Sequence, residues 1–243
     1  MVLGTVDEGR VRVLTFRRPE AANAFNDELY RGLAAALDAA AVDDGVSVVV
    51  LTGEGRVFSA GTDLDEMAEI TRQHAAGEST GETGKGFGIL MDALITFPKP
   101  LLAAVNGSGV GLGLTMLPHC DLVLLSEKAR FSAPFTTMGV APEAAASYLL
   151  PLRMGAQQAA LALYAGRWIT AEQAVSSGLA LKTCPPETVL AETLELAAEI
   201  AAKPLASLLA TKRVVTEAHR DAIRAARSRE DAAFDELLKG MTG

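Results

Sequence analysis

Asn106-Gly-Ser-Gly-Val-Gly-Leu-Gly-Leu-Thr-Met-Leu-Pro-His-Cys-Asp121 is the stretch that decides the fold. The apolar run Leu101–Val105 precedes it and is typical of a buried strand. Four glycines follow within seven residues, and then comes an apolar segment with helical character. A strand that breaks into glycines and restarts as a helix exposes backbone N–H groups at a helix N-terminus, where negative charge is stabilised.

The glycine spacing matches none of the common phosphate-binding or nucleophile motifs. Leu112 and Leu114 stand where a dinucleotide-binding motif needs its third glycine, and no lysine follows to make a P-loop. Asn106 occupies the first glycine position of a nucleophile elbow. For this stretch alone, a tight turn packed against a sheet is therefore the simpler interpretation.

A second stretch has the same organisation. Phe58-Ser-Ala-Gly-Thr-Asp-Leu64 follows the β-branched run Val46–Thr52, and Asp63 is placed to cap a helix that begins at Leu64. Two strands thus each end in a small-residue turn that can offer a free N–H group. Two converging N–H donors make an oxyanion hole, which stabilises negative charge developing on a carbonyl oxygen.

The two stretches, with Pro98-Lys-Pro100 between them and Cys120-Asp121 at the end of the second, resemble the crotonase (enoyl-CoA hydratase/isomerase) superfamily in content and order. The resemblance extends from Val11 to about Leu238. It implies an α/β fold with a ββα spiral core, built from repeated strand–strand–helix turns, and a C-terminal helical trimerisation layer. No sequence repeat indicates the spiral independently.

The same resemblance predicts how the chain is divided. We expect residues 1–186 to form the spiral core with the acyl-CoA site, and residues 187–243 to form a C-terminal helical oligomerisation region. That region is Ala-rich and amphipathic, with a break at Lys203-Pro204. The resemblance implies a homotrimer or a hexamer made of two trimers.

Two further segments are predicted from their patterns. A helix should run from Asn26 to about Ala40, because Leu29, Leu33 and Leu37 repeat every four residues on one face. The segment 75–88 holds five glycines and should form a mobile loop beside the acyl pocket, or else a plain connection, before helix resumes at residue 87.

Composition excludes several functional classes. The net charge of −8 and the pI of about 5.0 argue against nucleic-acid binding and against an anionic membrane surface. No run of 18 apolar residues and no signal-peptide pattern occurs, so we expect a cytoplasmic protein with no membrane partner. Cys120 and Cys184 lack metal-ligand spacing, so we expect no metal site.

The resemblance also implies the parts of an acyl-CoA site. The N–H groups of Thr62 and Leu112 match the two oxyanion donors of the family. Residues expected to bind the substrate surround these turns and the acyl pocket: Ala22, Ala60, Gly61, Asp63, Leu64, Gly111, Thr115, Phe135 and Met138. No separate cofactor is expected, because coenzyme A is part of the substrate.

The catalytic acids depart from the hydratase pattern. Hydratase-type members use two glutamates, but this chain has Thr115 and Phe135 at those positions. Glu143 instead follows Pro142 in a pattern that resembles the peroxisomal-type Δ3,Δ2-enoyl-CoA isomerases, where one glutamate is the base. The alternative is that Glu143 lies in the first turn of a helix and only complements its dipole. Asp63 and Glu66 are the other candidate bases.

Other functions stay open at this point. The same CoA site could serve hydration, with Thr115 holding a water, or thioester hydrolysis or dehalogenation. The chain could also be a silent acyl-CoA binder or a helper subunit of a larger complex. Lys212-Arg213 could reach a CoA phosphate, or be solvated surface charge, and His119 is more typical of a helix end than of a catalytic base.

Overall fold

The computed structural model describes residues 1–75 and 84–241. The chain opens with an antiparallel hairpin of β1 (Leu3–Glu8) and β2 (Val11–Phe16), followed by α1 (Asp27–Val42). Strand β1 was not predicted from the sequence, because four of its six residues are exposed and leave no apolar pattern.

Three successive segments then repeat the order strand, strand, helix. They are β3 (Val48–Gly53), β4 (Val57–Ser59) and α2 (Leu64–Ala75); β5 (Leu101–Val105), β6 (Ser108–Val110) and α4 (Leu112–Thr115); and β7 (Leu122–Ser126), β8 (Arg130–Ser132) and α5 (Ala146–Met154). Helix α3 (Gly86–Thr96) lies between the first two segments. The predicted ββα spiral is therefore confirmed.

The remaining elements complete the sheets and add a helical end. They are α6 (Ala156–Ala165), β9 (Ile169–Thr170), α7 (Ala171–Ser176), β10 (Lys182–Cys184), α8 (Val189–Ala201) and α9 (Leu205–Met241). The first strands of the repeats join a six-stranded sheet in the order β1-β2-β3-β5-β7-β10, and the second strands join a four-stranded sheet in the order β4-β6-β8-β9. Neighbouring repeats pair in parallel.

The large sheet is covered on both faces. Val48 and Val50 pack with Ala197 of α8, whereas Val49 and Leu51 point into the main core on the other face, which α1 and α3 share. Parallel strands covered on both sides need apolar residues at every position. This explains why Val48–Leu51, the centre of the run that predicted β3, is continuously apolar instead of alternating.

Helix α1 is fixed at both ends. The Asn26 side chain accepts the Leu29 N–H (3.0 Å) at its start. At its end, Lys99 Nζ donates to the carbonyl oxygens of Ala40 (2.6 Å) and Asp43 (2.7 Å), and Lys99 is only 1% exposed. A cation here complements the C-terminal end of the helix dipole. Lys99, the lysine of the Pro-Lys-Pro motif, therefore connects the C-terminal end of α1 to the segment that leads into β5.

The glycine-rich stretch folds differently from the expectation. Its first glycines lie around β6, which pairs with β4 and β8, and the helix that follows, α4, has only four residues. The two strand–turn segments pack closely against each other. A Cβ atom at Gly113 would collide with the carbonyl oxygen of Ser59. Glycine is needed here for backbone approach as well as for the turn.

The C-terminal region is helical as predicted, with α8 ending at Ala201 and α9 beginning at Leu205. The division at residue 186 stays a prediction. Helix α3 begins at Gly86, one residue before the predicted start, and residues 76–83 of the predicted loop lie outside the described part of the chain. Among the described residues, we find no helix with both the length and the apolar character needed to cross a bilayer.

Candidate active site

The turn after β4 leaves one backbone N–H group free. The N–H groups around it are all bound: those of Ala60, Gly61 and Asp63 donate to the Ala22 carbonyl (2.9 Å), the Ser59 Oγ (3.1 Å) and the Phe25 carbonyl (2.9 Å). The Thr62 N–H has no acceptor among residues 1–75 and 84–241. Its side-chain Oγ1 is held 2.8 Å from the Tyr30 hydroxyl. The turn thus presents Thr62 N–H in a fixed orientation.

A second free N–H group belongs to Leu112, at the start of α4. The Gly111 N–H donates to the Ser132 carbonyl (2.9 Å), whereas the Leu112 N–H has no acceptor in the described part of the chain. The two turns are in close contact, because a Cβ built on Gly61 would lie 3.3 Å from Leu112 N. Thr62 directly follows Gly61, so the turn that carries Thr62 lies beside the start of α4, and the oxyanion pair of Thr62 and Leu112 stays a prediction.

Glu143 lies in the loop before α5 and lines the same cavity as Thr62. Its carboxylate makes no hydrogen bond to any described residue. Burial, reinforced by the negative charge of Glu230, raises the pKa of Glu143 to about 7. A carboxyl group with a pKa near neutrality can both accept and return a proton at physiological pH.

The first-turn interpretation of Glu143 is wrong. Helix α5 begins at Ala146, and Ala144 and Ala145 intervene with left-handed backbone angles (φ 62° and 57°). The helix therefore starts three residues later than expected, and Glu143 is not one of its first-turn acids.

The cavity around Glu143 is lined by residues of four helices and of three segments between elements. Its described walls combine apolar and acidic side chains: Asp27, Tyr30, Thr62, Asp63, Glu66, Met67, Ile70, Gly84, Phe87, Pro142, Glu143, Glu230, Asp231 and Phe234. No lysine, arginine or histidine belongs to this described lining. An apolar cavity with a few convergent polar groups is the usual form of a small-molecule site.

The other two candidate bases are held by backbone or ion-pair contacts. Asp63 Oδ2 pairs with Arg18 Nη1 (2.9 Å) and Oδ1 accepts the Glu66 N–H (3.2 Å), capping α2 as predicted. Burial opposes ionisation of Asp63, but these two partners outweigh it and lower its pKa. Glu66 Oε2 accepts the Asp27 N–H (2.7 Å), while burial raises the Glu66 pKa. Glu143 is the acid without such contacts.

Most residues predicted to bind substrate are placed outside this cavity. Asp63 lines it, Ala60, Gly61 and Gly111 belong to the two turns, and the Ala22 carbonyl accepts the Ala60 N–H. The four others lie elsewhere: Thr115 and Phe135 are buried in the core, whereas Leu64 and Met138 are 51% and 37% exposed. Thr115 turns inward because α4 is a single turn, and its Oγ1 has no partner among the described residues. Their roles in binding stay predictions.

The sequence did not indicate which residues of the helices line the cavity. Met67 and Ile70 of α2 are three residues apart, and Glu230 and Phe234 of α9 are four apart, so each pair shares a helix face. That spacing identifies a common face, but it does not identify what the face contacts. Tyr30 of α1 was missed for the same reason.

His119 supports the loop that carries Glu143. Its Nε2 lies 2.8 Å from the carbonyl oxygen of Ala144, so this nitrogen carries the proton and donates. Burial lowers the pKa of His119 to about 4, which keeps the ring neutral. His119 therefore holds the backbone, as expected of a residue that is not itself the base.

Lys212 is engaged inside the protein. Its Nζ binds both carboxylate oxygens of Asp121 (2.7 and 2.6 Å), and Asp121 also accepts the Leu101 N–H (2.8 Å). The side chain is 9% exposed, so Lys212 is neither solvated surface charge nor a free phosphate ligand. Two cavities along α9 include Lys212 in their described lining, and neither includes Thr62 or Glu143.

The fold agrees with the comparison to known proteins. Residues 7–241 match the family model described as enoyl-CoA hydratase/isomerase. The chain belongs to the enoyl-CoA hydratase/isomerase family, whose members have the crotonase fold, and it is an acyl-CoA enzyme of that type.

Similar proteins carry both reaction names. The chain is 36% identical to 2,3-dehydroadipyl-CoA hydratase of Escherichia coli, covering 93% of this chain and 86% of that protein. It is 34% identical to enoyl-CoA delta isomerase 2 of Rattus norvegicus over 92% of this chain, but it spans only 56% of that protein. A solved enoyl-CoA hydratase/isomerase from Pseudoalteromonas atlantica has a TM-score of 0.90 at 37% identity, covering 98% of this chain and 92% of that one.

Proposed function

We propose that this chain is a Δ3,Δ2-enoyl-CoA isomerase that uses Glu143 as its single base. The observation that carries the proposal is the position of Glu143: a half-buried carboxyl group with a raised pKa lines the same cavity as Thr62. Thr115 and Phe135 occupy the two hydratase glutamate positions and supply no carboxylate. The rat relative named as a delta isomerase supports the proposal.

The reaction would proceed through a dienolate. The thioester oxygen accepts hydrogen bonds from the N–H groups of Thr62 and Leu112, and each such donor stabilises a transition state by roughly 3–4 kcal/mol. The Glu143 carboxylate removes a proton from C2, and the electron pair of that C–H bond is delocalised over the dienolate. Glu143 then returns the proton to C4, which leaves the double bond between C2 and C3.

This chemistry needs no additional group. One proton leaves C2 and one arrives at C4, so the composition and oxidation state of the substrate are unchanged. One carboxylate is enough if both carbons lie along one face of the planar dienolate. We therefore propose that the only coenzyme involved is the CoA of the substrate.

Hydration is the second candidate, and a specific observation favours it. Thr115 stands at a hydratase glutamate position, and its buried Oγ1 has no partner in the described part of the chain. A relative named as a hydratase is 36% identical. A threonine hydroxyl can orient a water molecule, but it stays protonated at neutral pH and is a poor base. Hydration should therefore be slow.

An absorbance assay with two substrates separates the candidates. The conjugated 2-enoyl thioester absorbs more strongly in the near ultraviolet than the 3-enoyl isomer or the hydrated product. We expect absorbance to rise with trans-3-enoyl-CoA and to change little with trans-2-enoyl-CoA. A fall with 2-enoyl-CoA and no rise with 3-enoyl-CoA would indicate a hydratase. No change with either, despite calorimetric binding, would indicate a silent acyl-CoA binder.

A further inference from the structure

Glu230 of α9 reaches across the molecule to the loop that carries Glu143. Its Oε2 accepts the Ala145 N–H and its Oε1 accepts the Ser147 N–H, both at 2.7 Å, and Glu230 is only 4% exposed. Helix α5 has no side-chain cap from its own N-terminal residue, Ala145. Glu230 therefore supplies the cap for α5 from an element that lies more than 80 residues away in sequence.

The same loop has a strained backbone that is held from two sides. Ala144 and Ala145 both have left-handed angles, which cost a non-glycine residue about 1–2 kcal/mol each. Such angles persist only where neighbouring contacts determine them. Here His119 binds the Ala144 carbonyl oxygen and Glu230 binds the Ala145 N–H. Glu143 immediately precedes the held segment, so the direction of its side chain depends on these contacts.

We propose that Glu230 is a positioning residue for Glu143: by binding the N–H groups of Ala145 and Ser147, it keeps the loop in the conformation that directs Glu143 into the cavity shared with Thr62. This inference rests on the proposed function of Glu143 as the base. Glu230 lines that cavity too, so it also places a second negative charge beside the base.

The charges around Glu143 indicate how the removal of Glu230 should be detected. Burial raises the pKa of Glu143 to about 7, and the charge of Glu230 adds to this effect. Burial also raises the pKa of Glu230, although its N–H partners oppose the rise. The other titratable groups in the described walls are Asp27 and Tyr30 of α1, Asp63 and Glu66 at the start of α2, and Asp231 of α9. All are acids, so the loss of Glu230 removes one like charge from Glu143.

The test is the pH dependence of isomerisation in Glu230→Gln, with Glu236→Gln, an exposed glutamate on the same helix, as the matched control. A glutamine can accept only one of the two N–H groups, so the loop should loosen. We expect kcat to fall about 10- to 100-fold with KM within about threefold, since small displacements of a catalytic group have effects of this size. The midpoint of the acid limb of the kcat–pH profile should move down by about half to one pH unit, because the pKa of Glu143 falls when a neighbouring negative charge is removed. The control should match the parent.

Glu230→Asp gives a second measure. This change keeps the charge but shortens the side chain, so kcat should fall while the acid limb moves less than in Glu230→Gln. A folded Glu230→Gln variant with the parent's kcat and midpoint would overturn the proposal. Loss of the folded circular-dichroism spectrum in both variants would also overturn it, because Glu230 would then serve the fold alone.

A readout without turnover separates this inference from the proposed function. The Glu143 carboxyl carbon can be followed by ¹³C NMR in protein labelled at glutamate, with its signal assigned by its loss in Glu143→Gln. The Glu143 titration midpoint should fall in Glu230→Gln. If the parent has no isomerase activity but this midpoint still falls, the proposed function fails and the link between Glu230 and Glu143 stands. If the parent is active but Glu230→Gln leaves both the Glu143 titration midpoint and kcat unchanged, the proposed role of Glu230 is wrong and the proposed function stands.

Discussion

Glu143 meets two opposing requirements. Ionising a half-buried carboxyl group that has no hydrogen-bond partner among the described residues is unfavourable, so its environment raises its pKa. The same environment suits a base that must give its proton back, because the best catalytic pKa lies near the working pH. The side chain proposed to perform the chemistry should therefore reduce the stability of the fold at neutral and alkaline pH.

Glu143→Gln should stabilise the protein at pH 8 and have little effect at pH 4. The folded pKa of about 7 lies above the ordinary value of 4.5, so stability is fully present below about 4.5 and is lost as pH rises through 7. Each pKa unit corresponds to about 1.4 kcal/mol, so we expect a gain of roughly 1–3 kcal/mol at pH 8. Urea unfolding at pH 4 and pH 8 measures the difference in the free energy of unfolding between the parent and Glu143→Gln. An equal difference at the two pH values would contradict the raised pKa of Glu143.

Gly61→Ala should separate the two oxyanion donors. Gly61 has φ +89°, and a Cβ there would lie 2.6 Å from the Val110 carbonyl oxygen. The turn must shift, which moves the Thr62 N–H away from Leu112, so kcat should fall by about 10²–10³-fold. Gly9→Ala is the control, since Gly9 also has positive φ (+61°) but open space around the new Cβ. A Gly61→Ala variant with the parent's kcat would exclude this oxyanion geometry.

At the scale of elements, helices α1, α2 and α9 determine what the cavity accepts. Their described side chains in its lining are apolar or acidic. We therefore predict a preference for uncharged acyl chains, because a terminal carboxylate would meet like charges from Glu66 and Asp231. For a 3-enoyl-CoA and its ω-carboxylate analogue of equal length, kcat/KM should differ by at least about tenfold. Glu66→Gln should reduce this difference in kcat/KM. Equal kcat/KM values for the two substrates in the parent would contradict the prediction.

Elements with a strong local pattern were predictable from the sequence. Helix α1 lies where the four-residue leucine spacing placed it, and Leu29, Leu33 and Leu37 are fully buried. Strand β5 also has the expected bounds. The three-residue strand β6 was not predictable, because it forms only through its pairing with β4 and β8. A pairing between distant segments leaves no periodicity in either one.

Short local motifs, through the family resemblance that they carry, indicated Thr62, Leu112 and Glu143, and the roles of these residues stay predictions. The contacts that orient Glu143 were not predictable, because Glu230 comes from the far end of the chain and its cap on α5 has no local signature. The left-handed angles of Ala144 and Ala145 were also hidden, since alanine is not a residue that marks such angles.

At the scale of the whole molecule, exposed apolar residues favour assembly. Val214 and Val215 of α9 are 71% and 61% exposed, and Tyr164 at the end of α6 is 77% exposed. Val214 and Val215 are adjacent, and exposed apolar side chains that are grouped on a surface commonly mark an interface. We predict a homotrimer or a hexamer, so light scattering at micromolar concentration should give three or six times the monomer mass of 25.4 kDa. The monomer mass would contradict this prediction.

Whether Glu143 alone moves the proton is tested most directly by comparing isomerisation of trans-3-enoyl-CoA by the parent, Glu143→Gln and Thr115→Ala. Glu143→Gln keeps the side-chain volume and removes the basic oxygen, so kcat should fall by about 10⁴-fold, with acyl-CoA affinity unchanged. Thr115→Ala should keep most of the parent's kcat, because Thr115 has no proton role. Retention of activity in Glu143→Gln, with its loss in Thr115→Ala, would contradict the account.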